Sequence, residues 1–112
     1  MDSQAVTVRL GERVGIYETV ATSSGTVTIN SATFDFLDNS NASIASGVLA
    51  TGNDAPGASA RAWYQLDTAA PPGGGGALLA GNYRVKWTIN VAVSGDTLSR
   101  VERPSVLICV VA

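Results

Sequence analysis

From Tyr83 to Val91 the chain alternates strictly. Tyr83, Val85, Trp87, Ile89, Val91 and Val93 occupy every second position, and Arg84, Lys86, Thr88 and Asn90 stand between them. A helix would scatter these apolar residues around its circumference, whereas an extended chain places them all on one side. After Ser94-Gly95-Asp96 the chain returns as TLSRVERPSVLICVVA, so the last segment reads as a long β-hairpin ending in a dense apolar strand. No stretch of the sequence has helical period, and the expected class is all-β.

The rest of the chain divides into shorter pieces of the same kind. AVTVRL places Val6, Val8 and Leu10 on one face, and after Gly11-Glu12 the run RVGIYETV continues with Val14 and Ile16. TVTI groups Val27 with Ile29, and ATFDF groups Ala32, Phe34 and Phe36. The residues leave open whether those two are separate strands or one kinked strand. Asp38-Asn39-Ser40-Asn41 is a turn by composition, because Asn and Asp tolerate left-handed backbone and bond their own main chain. SIASGVLAT is a weaker strand suited to a sheet edge, GNDAPGAS a loop, and ARAWYQLD a further strand. In TAAPPGGGGA, Pro71 and Pro72 are stiff whereas Gly73, Gly74, Gly75 and Gly76 are not, which predicts a surface loop over 71–76. Each side of that loop is too small to fold alone, so residues 1–112 are expected to form one domain. Seven or eight short strands between turn signals indicate a sandwich or barrel, and of the two an antiparallel β-sandwich is expected.

Chemistry is sparse. The sequence has no histidine, which removes the commonest general base and metal ligand. Its one cysteine, Cys109, cannot form an internal disulfide and sits between Ile108 and Val110, where a buried, inert thiol is expected. Asp35 and Asp38 in DFLDNSN lack the order of a calcium loop and read as a solvated turn. The glycine run is followed by no Lys-Ser/Thr pair and opens no helix, which excludes a phosphate cradle. We therefore expect no enzymatic activity, metal, cofactor or small-molecule substrate. Net charge is −2, and Arg84, Lys86, Arg100 and Arg103 are interspersed with Glu102, so no nucleic-acid partner is expected. VLICVVA is too short to span a bilayer, and no basic, apolar leader follows Met1 and Asp2, so neither a membrane partner nor a signal peptide is expected.

What remains is surface. Charged residues make up only 14% of the sequence, which leaves much neutral surface for a partner to cover. In ARAWYQL the apolar set Ala60, Ala62, Tyr64 and Leu66 leaves Arg61, Trp63 and Gln65 on the opposite face. Tryptophan and arginine together are the residue types that anchor protein interfaces. The alternatives are a slipped register, or Trp63 closing the sandwich end beneath a loop. The candidate contact residues are Arg61, Trp63, Pro71, Pro72 and Gly73 to Gly76.

LLAGNY brings a glycine and then Tyr83 to the start of a long strand, the place where immunoglobulin-type sandwiches carry a tyrosine corner. The bland alternative is an ordinary amphipathic core tyrosine. With AGNYRVKWTI and SGDTLSRVERPSVLICV, the stretch from Leu78 to Val111 resembles the small immunoglobulin-like structural domains of tailed bacteriophages. These include upper-baseplate proteins and head or neck accessory proteins. Gly81, Tyr83, Arg84, Val85, Trp87, Gly95, Pro104 and Val106 carry the resemblance, and the PPGGGG loop has no counterpart in it. The resemblance implies an immunoglobulin-like sandwich in the virion, assembled in the host cytoplasm. Such a protein would decorate the capsid or lie at the head–tail or baseplate region, in many copies, contacting other virion proteins and copies of itself. A carbohydrate- or receptor-binding module is the other reading, with Trp63 or Tyr64 as a stacking platform and DFLDNSN as its polar component.

Overall fold

The computed structural model describes residues 4–22, 25–94, 100–102 and 106–112. Gly95, Asp96, Arg103 and Pro104, singled out above, lie outside them. The described strands are β1 (Gln4–Arg9), β2 (Arg13–Ala21), β3 (Val27–Leu37), β4 (Ser43–Leu49), β5 (Gly52–Asn53), β6 (Ser59–Asp67), β7 (Gly81–Val93), β8 (Arg100–Glu102) and β9 (Val106–Val111). There is no helix among the described residues. A six-stranded sheet runs β1-β9-β7-β3-β4, with β8 also paired to β7, and a three-stranded sheet runs β2-β6-β5. The sheets stack in a sandwich-like arrangement over one apolar cluster to which both contribute.

Two details depart from the expected seven or eight antiparallel strands. First, β1 runs parallel to β9, pairing Gln4 with Val106 and Arg9 with Val111. Alternation in a sequence fixes which face a residue occupies but not the direction of the neighbouring strand. Second, Gly52 and Asn53, read as loop, form a short strand that pairs with Trp63 and Ala62. The described residues of the returning segment pair with β7 over Arg100–Glu102 and over Val106–Val110.

β7 alternates as its sequence demands. Val85, Trp87, Ile89, Val91 and Val93 are buried, while Lys86, Asn90 and Ala92 are exposed. β3 resolves the question left by TVTI and ATFDF. It is one strand in which Ile29 pairs with Val91 but Ser31 pairs with Asn90, so Asn30 is an extra, bulged residue. A bulge shifts the side-chain parity by one. Odd positions Val27 and Ile29 therefore point inward before it, and even positions Ala32, Phe34 and Phe36 after it. At the centre, Phe34 lies 4.8 Å from Tyr64 edge-on and 5.1 Å from Trp87, tying the two sheets together through aromatic contacts. Burial of Phe34 contributes about 1.5–3 kcal/mol.

Two other expectations change. β1 ends at Arg9, so Leu10 turns outward and is 40% exposed instead of joining Val6 and Val8. Cys109 is half-buried on the face of β9 opposite Ile108 and Val110, between Thr7 and Asn82 in register. The same alternation that buries its neighbours turns the thiol away from the core.

The long connection from β6 to β7 is fastened at its base. Thr68 is fully buried, and its hydroxyl donates to the Glu12 carbonyl at 2.7 Å. The Leu78 amide then donates to the Thr68 carbonyl at 2.8 Å, so the chain reaches β7 at a defined corner. There the Tyr83 hydroxyl donates to the Leu79 carbonyl at 2.9 Å, and its ring stacks on Phe36 with centroids 5.5 Å apart. The bond from the Tyr83 phenol back to the main chain upstream is the contact expected of a tyrosine at this corner.

Candidate functional site

The inward faces of β2 and β6 carry Ile16, Glu18 and Val20 against Ala60, Ala62 and Leu66. Glu18 is a carboxylate on that buried face, and its Oε2 accepts a hydrogen bond from the Thr19 amide at 3.2 Å. By alternation Arg13, Gly15, Tyr17 and Thr19 stand on the outer face beside Asp67, Gln65, Trp63 and Arg61, their register partners. The outward reading of Arg61 and Trp63 therefore holds, with Trp63 half-buried.

The reason for that partial burial is Gly52. It is the register partner of Trp63 on the other side, and a Cβ there would lie 2.7 Å from Cζ2 of the indole. The indole thus lies down over a strand position that only glycine leaves open. On the opposite side, Gly15 leaves the sheet bare next to Tyr17 and diagonal to Trp63. The result is a shallow depression of about 280 Å³ lined by Gly15, Ile16, Tyr17, Arg61 and Trp63.

Arg61 is held in place at its rim. Its Nε lies 3.1 Å from Oδ2 of Asp54, and its own amide donates to the same oxygen at 3.0 Å. Its guanidinium carbon sits 5.9 Å from the centroid of the Tyr17 ring, within cation–π range. The Arg61 side-chain hydrogen bond, helped by its amide, holds the Asp54 carboxyl below the usual carboxylate range, and the same hydrogen bond raises the arginine. At the end of the strand pair, Arg13 meets Asp67 at 3.3 Å. The surface is aromatic at its centre, and these two cations are each matched by a carboxylate.

The other predicted contact residues lie elsewhere. Pro71 is buried, Pro72 half-buried, and Gly73 to Gly76 exposed. Gly73 has φ +102° and sits so close to β4 that a Cβ would be 2.7 Å from the Ile44 carbonyl oxygen. The loop is therefore seated on the six-stranded sheet and does not line the depression beside Trp63.

Tyr64 points into the core against Phe34, so it is no stacking platform. The DFLDNSN turn lines a different depression of about 410 Å³ with Leu79 to Tyr83. Its Asp38 is already engaged: Oδ1 accepts from the Ser40 hydroxyl at 2.7 Å and from the Ser40 and Ala42 amides at 2.8 and 3.0 Å. The hydroxyl first, and the amides with it, hold that carboxyl below its ordinary range. Asn41 takes the left-handed conformation, φ 64°, that the turn requires. Asp35 accepts from the Gly47 amide at 3.1 Å. Among the described residues no three potential metal ligands cluster.

Sequence reasoning missed Gly15, Tyr17 and Gly52. An aromatic of polar parity in RVGIYETV was a usable signal for Tyr17, the same one that picked out Trp63. No family model, curated protein or solved structure matches this chain.

Proposed function

We propose that this chain is an immunoglobulin-like structural protein of a tailed-phage virion, non-enzymatic and acting in many copies through protein–protein contacts. The observation that carries the immunoglobulin-like reading is the Tyr83–Leu79 hydrogen bond at the corner between β6 and β7. The strand order supports it. β3, β7 and β9 are neighbours in one sheet with β4 beyond β3, and β2, β6 and β5 make the other, the layout of a variable-type domain. The chain departs from antibody domains in having Val85, not cysteine, two residues after the corner tyrosine. Aromatic packing of Phe34, Trp87 and Tyr64 occupies the middle of the sandwich. The virion assignment rests on the resemblance of the Leu78–Val111 stretch, and the binding face is the outer surface around Trp63.

The test is incorporation. Particles assembled with wild-type protein and with Trp63→Ala are purified, and copies per particle are counted. Reduced occupancy by a variant that still melts cooperatively supports the reading; equal occupancy overturns it. A carbohydrate-binding role draws on the same depression, whose Tyr17 and Trp63 rings could take a sugar face. A glycan panel separates the two.

A further inference from the structure

We infer that the outer face of the β2-β6-β5 sheet pairs with the same face of a second copy about a two-fold axis, Tyr17 of each entering the hollow above Gly15 of the other. The inference rests on the reading of this face as a protein contact and names what covers it. In a two-fold interface a surface must complement itself, residue i touching j while j touches i. A protrusion beside a hole is the simplest surface that does so. Tyr17 is 43% exposed, and Gly15 lies two positions away on the same strand and face. That spacing is roughly 7 Å. An axis lying between the two faces and crossing β2 at Ile16 sets each tyrosine over the other copy's glycine.

Electrostatics permit the pairing. Arg13 with Asp67 and Arg61 with Asp54 are matched within one copy, at 3.3 and 3.1 Å. Two such faces therefore meet without opposing like charges across the axis. Thr19 and Gln65 supply neutral polar groups beside the aromatic centre.

The area sets the strength. β2 and β6 are nine residues long and β5 is two. Such a face covers roughly 30 by 10 Å over β2 and β6 with a short stretch of β5 beside it, or about 300 Å². A standard stable interface buries about 800 Å² per partner, so the pair is weak alone. It gains strength where copies are already held close together.

Sedimentation equilibrium of the isolated full chain, up to about 1 mM, tests this. The wild type is expected to show a reversible monomer–dimer equilibrium. Gly15→Leu fills the hollow, and the fold accommodates it because a Cβ at Gly15 meets nothing within 4 Å. Tyr17→Ser removes the protrusion. Each variant should weaken dimerisation by about tenfold or more with little change in melting temperature. A wild type that stays monomeric, or variants that dimerise as it does, overturns the pairing. So does a monomeric wild type whose glycan binding Gly15→Leu abolishes, which would make a sugar the occupant. A monomeric wild type whose particle occupancy still falls with Trp63→Ala ends the pairing but leaves the virion reading standing. Dimerisation with unchanged occupancy does the reverse.

Discussion

The Tyr83 hydroxyl donates to the main-chain carbonyl of Leu79, four residues earlier, at 2.9 Å. The carbonyl belongs to a residue that is itself 77% exposed, so the bond fixes backbone just before β7 where side-chain packing cannot. Tyr83→Phe keeps the stack on Phe36 and loses only this bond. It should lower stability by about 1 kcal/mol, read as a shifted denaturant midpoint with an unchanged slope. Tyr83→Ala also loses the stack and should cost clearly more.

Trp87 is the largest fully buried side chain, and its indole Nε1 has no acceptor among the described residues. Trp87→Ala should cost about 3–5 kcal/mol through the cavity it leaves. Trp87→Phe gives up area but also removes a buried N–H, and it should cost under about 1.5 kcal/mol. Lys86→Ala, on the exposed face of the same strand, should stay within about 0.5 kcal/mol of wild type. Similar losses for Trp87→Ala and Lys86→Ala would contradict the face assignment of β7.

The alternation of β7 made the core strand readable from sequence, and the same parity rule put Arg61 and Trp63 outside. β3 was only half readable. The switch from Val27 and Ile29 to Ala32, Phe34 and Phe36 is visible, but a turn and a bulge at Asn30 produce the same pattern. β5 was not readable, since two residues carry no period. The depression was not readable either, because Tyr17, Trp63 and Gly52 are brought side by side by non-local register. Cys109 misled because its apolar neighbours outweighed its parity.

That parity has a direct consequence for the thiol. Half-buried on the outer face of β9, Cys109 should react with a small thiol reagent in the native state, more slowly than in the unfolded chain. Complete protection until unfolding would return it to the core.

Gly52 and Gly15 should respond oppositely to added side chains. Gly52→Val must push the Trp63 indole off the sheet and should cost about 1 kcal/mol, with a red-shifted tryptophan emission in a Trp87→Phe background. Gly15→Val has open space and should be tolerated within about 0.5 kcal/mol. Thermal melts of the two variants distinguish them.

Asp38 and Asp54 both titrate below the ordinary carboxylate value when folded. A depressed folded value favours the folded state above the unfolded-state value, and that contribution is lost as pH falls through the folded one. Acid should therefore weaken both the 38–42 turn and the Asp54–Arg61 contact. NMR titration of the side-chain carboxyls should show Asp54 moving up toward its ordinary value in Arg61→Ala, and Asp38 doing so in Ser40→Ala. An unmoved Asp54 in Arg61→Ala would mean that the contact is not formed in solution.

β1 and β9 lie side by side and point the same way, Gln4 beside Val106 and Arg9 beside Val111. Tension drawn from the beginning of β1 and the end of β9 therefore acts along the strands, and the slanted, evenly spaced bonds of the parallel pair bear it together. An antiparallel pair pulled from its open end would instead unzip, its bonds breaking in succession. This arrangement makes the seam between the first and last strands a clamp against stretching, a mechanical property that equilibrium unfolding would not reveal.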